Sequence, residues 1–264
     1  MFGFLRRKPL LSETDRDFQI ETYRWLLRNF GGEDFYQHTQ LVLPTSEFFP
    51  LSVSTADEVA EATFMTVKAL ANMQNWHCEL EKQEKDIDPR VAETVALQNV
   101  PSSPHGTFSV DSEQKVVITY NPQLVNNPQQ LVATFAHELA HYLTATTKEA
   151  PPGGFDNWEF ATDIAAIFLG FGIFMANTAF TFHQYSGASS QGWRSQRSGY
   201  LSDTEYAYSL AIFTLLKDIP TDAALSHLKA TPKSLYKKCL REIKSLGFVE
   251  DLKKIELVHY SSDK

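Results

Sequence analysis

Cysteine is nearly absent: Cys78 and Cys239 are the two in 264 residues. Two thiols make one bridge at most, so a disulfide framework is excluded and a reducing compartment fits. Basic charge is short as well. Lys and Arg number 24 against 32 Asp and Glu, a net charge of −8. A chain of that sign is poorly built to displace counterions from a phosphate backbone, so no nucleic-acid partner is expected. The start, Met1-Phe2-Gly3-Phe4-Leu5-Arg6-Arg7-Lys8-Pro9, puts its apolar residues before its charges. A secretory leader has the reverse order, and no apolar run follows Lys8. We expect a cytoplasmic protein; a weak anchor on a membrane surface is the alternative for this segment. Internal repeats and low-complexity tracts are also lacking.

One long uncharged run is present. Ile164 to Phe182 carries 19 residues without a charge, close to the roughly 20 that cross a bilayer. Asn177, Thr178 and Thr181 interrupt it, Glu159 and Asp163 stand just before it, and basic flanks are missing. A central buried helix of a soluble domain reads the same way, and that reading is preferred to a membrane span.

Ser12 or Thr14 can cap a first helix running to about Phe30, stopped by Gly31-Gly32. Leu41 to Leu43 before Pro44 suggests a short strand. Ser54 or Thr55 caps a second helix with Asp57 and Glu58 in its first turn. Pro101 to Gly106 is turn-rich. Thr107–Val110 and Lys115–Tyr120 read as a hairpin around Asp111 to Gln114. Asn127-Pro128 opens a helix to about Thr144, with Gln130 at the capping-box position. Pro151-Pro152-Gly153-Gly154 forces a loop, and a long helix covers Trp158 to about Phe180. Ser202 to Glu205 is a capping box for a helix to about Lys217, and Thr231-Pro232 opens the last clear helix. The whole reads α+β in a single domain, 1–264: a small, mostly antiparallel sheet within 1–125, then helices over 126–264.

Within the helix after Pro128 lies His137-Glu138-Leu139-Ala140-His141, the pattern H-E-x-x-H. Residues four apart share a helix face, so both imidazoles can reach one ion. Glu138 sits beside them, placed to hold a water without ligating the metal. Zinc brings the pKa of its water towards about 7, and the carboxylate takes the proton. Composition alone gives such a match a chance of about 2%, so its context decides. Leu131, Val132, Phe135, Ala136, Leu139, Ala140 and Leu143 form an apolar arc, and Thr134, His137, Glu138 and His141 a narrow polar one. A solvated polar face with two incidental histidines is the plain alternative.

A catalytic zinc site needs a third protein ligand. Thr144 and Thr147 stand where the metzincin continuation would place Gly and His. Glu159 is the best candidate: it opens the apolar helix, 18 residues past His141, across a loop able to reverse the chain. Asp163 follows on the same face. Asp156 is the fallback ligand and Glu149 a weaker one. Glu159 and Asp163 could also be acids at a helix N-terminus, favoured there by its dipole.

Over residues 115 to 165 the sequence resembles the gluzincin metallopeptidases, the thermolysin-like clan, whose pattern is H-E-x-x-H followed by a helix with a glutamate and an acid four positions on. The resemblance implies a zincin-like fold, Zn2+ held by His137, His141 and Glu159, Glu138 as general base, and Asp163 hydrogen-bonded to a ligating histidine. It also implies that the strand Lys115–Tyr120 lies at the site edge and pairs with an extended peptide; an ordinary hairpin is the alternative. The asparagine that often precedes the family glutamate is Trp158 here, with Asn157 one position earlier. An oxyanion donor in the family follows the glutamate helix. His183, Tyr185, Arg194 and Tyr200 fall there, of which Tyr200 or His183 is favoured; helix capping and packing are their plainer roles. The loop from Tyr185 to Gly199, with Trp193, Arg194 and Arg197, is a lid or a bare connection.

The expectation is a zinc-dependent metallopeptidase acting on a peptide or protein. Its rivals are a zinc hydrolase for another carbonyl substrate, a regulatory or binding protein that keeps the metal and cleaves nothing, and a membrane-embedded protease. Residues 229–254 hold 8 Lys and Arg against 3 Asp and Glu, and Lys233, Lys237 and Arg241 share a stripe. That stripe reads as a solvated face.

Overall fold

Four of the described α-helices start on a short polar side chain, that of Ser12, Thr55, Asn127 or Ser202. The computed structural model describes residues 8–50, 55–83, 106–110, 115–185 and 201–255, with Glu33 and 180–185 described by backbone alone. Ser12 caps α1 (Glu13–Leu26) by accepting from the Asp15 amide. The chain does not stop at Gly31-Gly32 as expected. It passes through a π-helical turn, Leu27–Gly31, into α2 (Gly32–Gln37). Gly32, at φ 48°, supplies the corner between them. Thr55 and Glu58 form a reciprocal capping box at α3 (Ala56–Leu70).

The sheet has three strands among the described residues: β1 (Glu79–Lys82), β2 (Gly106–Val110) and β3 (Val116–Tyr120), in the order β1-β3-β2. The expected hairpin is there, with Phe108 opposite Ile118. β1 was not expected, and it pairs parallel to β3. The sheet is therefore mixed rather than mostly antiparallel. Glu79-Leu80-Glu81-Lys82 is short, polar and largely exposed, so it carries no alternation to read. Residues 41 to 43 form no strand. The Val42 amide donates instead to the Gly170 carbonyl at 3.0 Å.

α4 (Pro128–Ala145) starts with Pro128 after Asn127, whose side chain accepts from the Gln130 amide. Gln130 does not return that bond; its side-chain amide is buried with no partner among the described residues. β2 and β3 cover one side of α4, and α3, α5 and α6 pack around the rest. Phe135 of α4 meets Phe64 and Tyr120 edge-on at 5.2 and 5.8 Å.

The single long helix expected from Trp158 is two helices. α5 (Trp158–Ala166) leads into a π-helical turn, Ile167–Phe171, and then α6 (Gly172–Tyr185). Gly170 makes the break at φ 104°, and a Cβ there would overlap the Gln40 carbonyl. The run Phe155–Ala179 is long and apolar enough to cross a membrane, and 89% of its most apolar window is buried within the protein. α7 (Asp203–Leu216) begins with the expected capping box of Ser202 and Glu205. α8 (Thr221–Leu225), α9 (Ala230–Leu246) and α10 (Val249–Leu252) complete the described chain. A contiguous core runs from Leu11 to Leu252. Ser54, the turns 101–105 and 111–114, and the loop 186–199 lie outside the described residues.

Candidate metal centre

Two helices make the centre. α4 presents His137 and His141 one turn apart, and the first turn of α5 brings Glu159 against them. The two Nε2 atoms lie 3.1 Å apart. Glu159 Oε1 is 3.2 Å from His141 Nε2, and its Oε2 is 3.5 Å from His137 Nε2. Ligands at 2.0–2.1 Å from a tetrahedral ion are spaced about 3.3 Å apart, so these three converge at the separation a small cation imposes. His137, His141 and Glu159 form a group that could hold a metal ion.

The far sides of both rings are also held. His137 Nδ1 lies 3.0 Å from Asp163 Oδ1, and Asp163 is fully buried. The other carboxylate oxygen accepts from the Leu201 amide at 3.1 Å and the Tyr206 hydroxyl at 2.7 Å. Asp163 therefore ties the ligand helix to the start of α7 and keeps the His137 proton on Nδ1, with Nε2 left for a cation. His141 Nδ1 is 3.3 Å from Thr162 Oγ1. Trp158 Nε1 donates to Thr144 Oγ1 at 2.8 Å and so pins the start of α5 to the end of α4. Phe108 of β2 stacks over His141, with centroids 6.3 Å apart and rings 13° from parallel.

Charge is shared inside this cluster. Burial opposes a charged His137, yet hydrogen bonds to Asp163 and Glu159 outweigh it and hold the imidazole well above its usual pKa. Burial also opposes the Glu159 carboxylate, but the His141 charge and the hydrogen bonds from His137 and His141 pull it down to about 2. A cation entering this site takes the place of a proton.

Glu138 has a different setting. Its carboxyl is pushed up by burial, partly countered by His137 and His141. Its Oε1 is buried and has no hydrogen-bond partner among the described residues. Gly106 of β2 comes so close that an added Cβ would stand 3.1 Å from that oxygen and 2.7 Å from the Thr119 carbonyl. A side chain at position 106 would crowd the carboxylate against the sheet.

The structure brings together His137, Glu138, His141, Glu159 and Asp163, all named from the sequence. It leaves Asp156 exposed and outside the group. Glu149 is turned to Asn29 instead, accepting from its amide at 2.9 Å. Asn157 uses its side-chain amide on the Pro152 carbonyl, within its own loop. His183 lies on α6, its side chain outside the described residues, as is Tyr200. The strand expected at the site edge is not an edge: β3 is paired on both sides, and β2 is the strand next to the cluster. Sequence reasoning missed Thr162, Tyr206 and the Leu201 amide. Thr162 stands one helical turn before Ala166 within an apolar stretch, and Tyr206 lies in a helix read only for its cap. Neither position carries a local signal.

Set against family models, curated proteins and solved structures, the chain finds no match.

Proposed function

We propose that this chain is a zinc-dependent metallopeptidase with a zincin-like active site. The observation that carries the reading is the juxtaposition of the three converging ligand atoms with the buried, unpartnered Glu138 oxygen on the adjacent residue. The donor set of two imidazoles and a carboxylate suits zinc and leaves a fourth position for water or substrate. Zinc bound there would polarise that water and the carbonyl under attack. Glu138 takes the proton of the attacking water and passes it to the leaving amine. Its raised pKa suits it to both halves of that transfer, and burial keeps competing water away from it. Asp163 and Thr162 hold the two imidazoles in orientation throughout.

An extended peptide would pair with the outer edge of β2, which no other strand covers among the described residues. Both cysteines are free, in keeping with work in a reducing cytoplasm. A second reading, a metal-binding regulator without peptidase activity, is favoured by how closed the cluster is: His137 and Glu138 are each 1% exposed.

Metal analysis and one substitution separate these readings. The wild type should purify with about one zinc per chain, and His137→Ala and Glu159→Ala with none. Unchanged zinc in Glu159→Ala would remove it as a ligand. Glu138→Gln should keep its zinc and lose peptide cleavage by at least about 100-fold. A wild type that binds zinc and cleaves no member of a broad peptide library would favour the regulator.

A further inference from the structure

Phe155 is 67% exposed, more than Met65, Val110 or Leu246, the other large apolar residues on the described surface. Single exposed apolar side chains are ordinary. This one is set apart by what holds it and what it touches. It begins a 3-10 turn, Phe155–Asn157, after two glycines at φ 78° and 85°. The Gly154 amide donates to the Pro151 carbonyl at 2.9 Å, and the Asn157 amide to the Gly154 carbonyl at 3.0 Å. The Asn157 side chain closes the same loop on Pro152, filling the place a Gly153 Cβ would need. Phe155 is thus held outward by a hydrogen-bonded loop.

Its ring meets Trp158 at 5.8 Å and 63°. Trp158 meets His141 at 6.0 Å and 71°, with its indole nitrogen anchored on Thr144. Phe108 stacks on the same imidazole, 6.3 Å away. An aromatic row therefore runs from solvent, through Phe155 and Trp158, to a metal-ligating imidazole. The two spacings put the Phe155 ring within about 12 Å of His141, which an extended chain covers in about four residues at roughly 3.3 Å each.

We propose that Phe155 and Trp158 form a rim subsite that selects a large apolar or aromatic side chain within four residues of the cleaved bond. This rests on the peptidase reading and names the substrate class for that same centre. Burying a large apolar side chain against two fixed rings gains affinity without ordering the loop first. Polar and small side chains gain nothing there.

The test reads binding rather than turnover. Zinc-loaded Glu138→Gln protein is titrated calorimetrically with blocked hexapeptides that carry Phe or Ala at successive positions. The same titrations follow with Phe155→Ala and Phe155→Leu added. A Phe-containing peptide should bind about tenfold more weakly to the Phe155→Ala protein, with partial recovery in Phe155→Leu, and the all-Ala peptides should be unaffected. Equal losses for both peptide types, or no loss for either, would overturn the subsite and leave the peptidase reading intact. Zinc retained with no peptide bound in any background would overturn both. Phe155 is exposed, so thermal unfolding of the Phe155→Ala protein should match its parent.

Discussion

α4 and α9 are helices of nearly equal length, 18 and 17 residues, built to opposite plans. α4 buries 14 of its residues, and α9 buries four: Tyr236, Cys239, Leu240 and Ile243. Both carry polar stripes. In α4 the stripe is Gln130, Thr134, His137, Glu138 and His141, all inside the protein. In α9, Lys237, Lys238, Arg241 and Lys244 face solvent. A polar side chain costs little in water and much in a core. A buried stripe therefore persists only where something uses it, and a solvated one needs no reason. That contrast separates the candidate metal centre of this chain from its charge.

Short of removing a candidate ligand, the largest effect should come from the group behind His137. Asp163→Asn puts an amide where a buried carboxylate takes three donors. Metal affinity should fall 10- to 100-fold, by roughly the amount that supporting carboxylates contribute elsewhere. Stability should fall by about 3 kcal/mol, because donors on His137, Leu201 and Tyr206 lose their charged partner. Chelator competition reads the first and urea unfolding the second. An unchanged affinity would show that Asp163 shapes the fold without orienting His137.

Acidity sharpens the same end of the comparison. Glu159 is held at about 2 against an ordinary 4.5, so the stability it lends is full above 4.5 and is lost as pH falls towards 2. His137 is raised well above 6.5, so its contribution is full below 6.5 and is lost as pH rises through its own higher value. Chelator-treated protein should therefore be most stable between those limits as far as this pair decides it. A metal ion held by His137 would compete with its proton, so affinity for added zinc should keep rising above pH 6.5, by about tenfold per unit, until the imidazole is neutral. Competition titrations across pH 6 to 9 should show that slope; a plateau from near 6.5 would mean that His137 is not held protonated.

Gln130 gives a smaller effect of opposite sign. It lies eight residues, two turns plus, before Glu138 on the same side of α4, with Thr134 between, and its amide is buried without a partner among the described residues. Gln130→Leu removes that unmet polarity and should stabilise the chain by about 1 kcal/mol. A loss on thermal unfolding would mean that the amide is paired through water and belongs to the polar stripe as fully as Glu138 does.

Much of this contrast could be read from residues alone. The apolar arc of α4, its Asn127-Pro128 start and its motif survive in the structure because long-period patterns and caps are local properties. Glu159 was legible because it opens an apolar helix after a reversing loop, and Asp163 because its place one turn later carries the resemblance that implies its role. What was not legible is set by long-range packing. Gly170 breaks the apolar helix because the Gln40 carbonyl crosses at that point, and nothing near Gly170 in sequence announces it. β1 is polar and takes its place from β3, not from its own pattern. Tyr206 reaches Asp163 across 43 positions. The edge role passes to β2 only because β1 occupies the other side of β3.

The smallest effect belongs to α9, and it is the control for all the others. Lys237 is exposed, and no ion pair to it is found among the described residues, while the Arg241 guanidinium bonds the Lys237 carbonyl rather than its side chain. Lys237→Gln keeps the stem and the helix propensity and removes only a solvated charge. Its effect on urea unfolding should stay within about 0.5 kcal/mol, and zinc affinity should not move. An effect as large as that of Asp163→Asn would mean that the basic stripe is engaged by some other part of the chain, and exposure would no longer distinguish the helix that carries charge from the helix that carries the candidate metal centre.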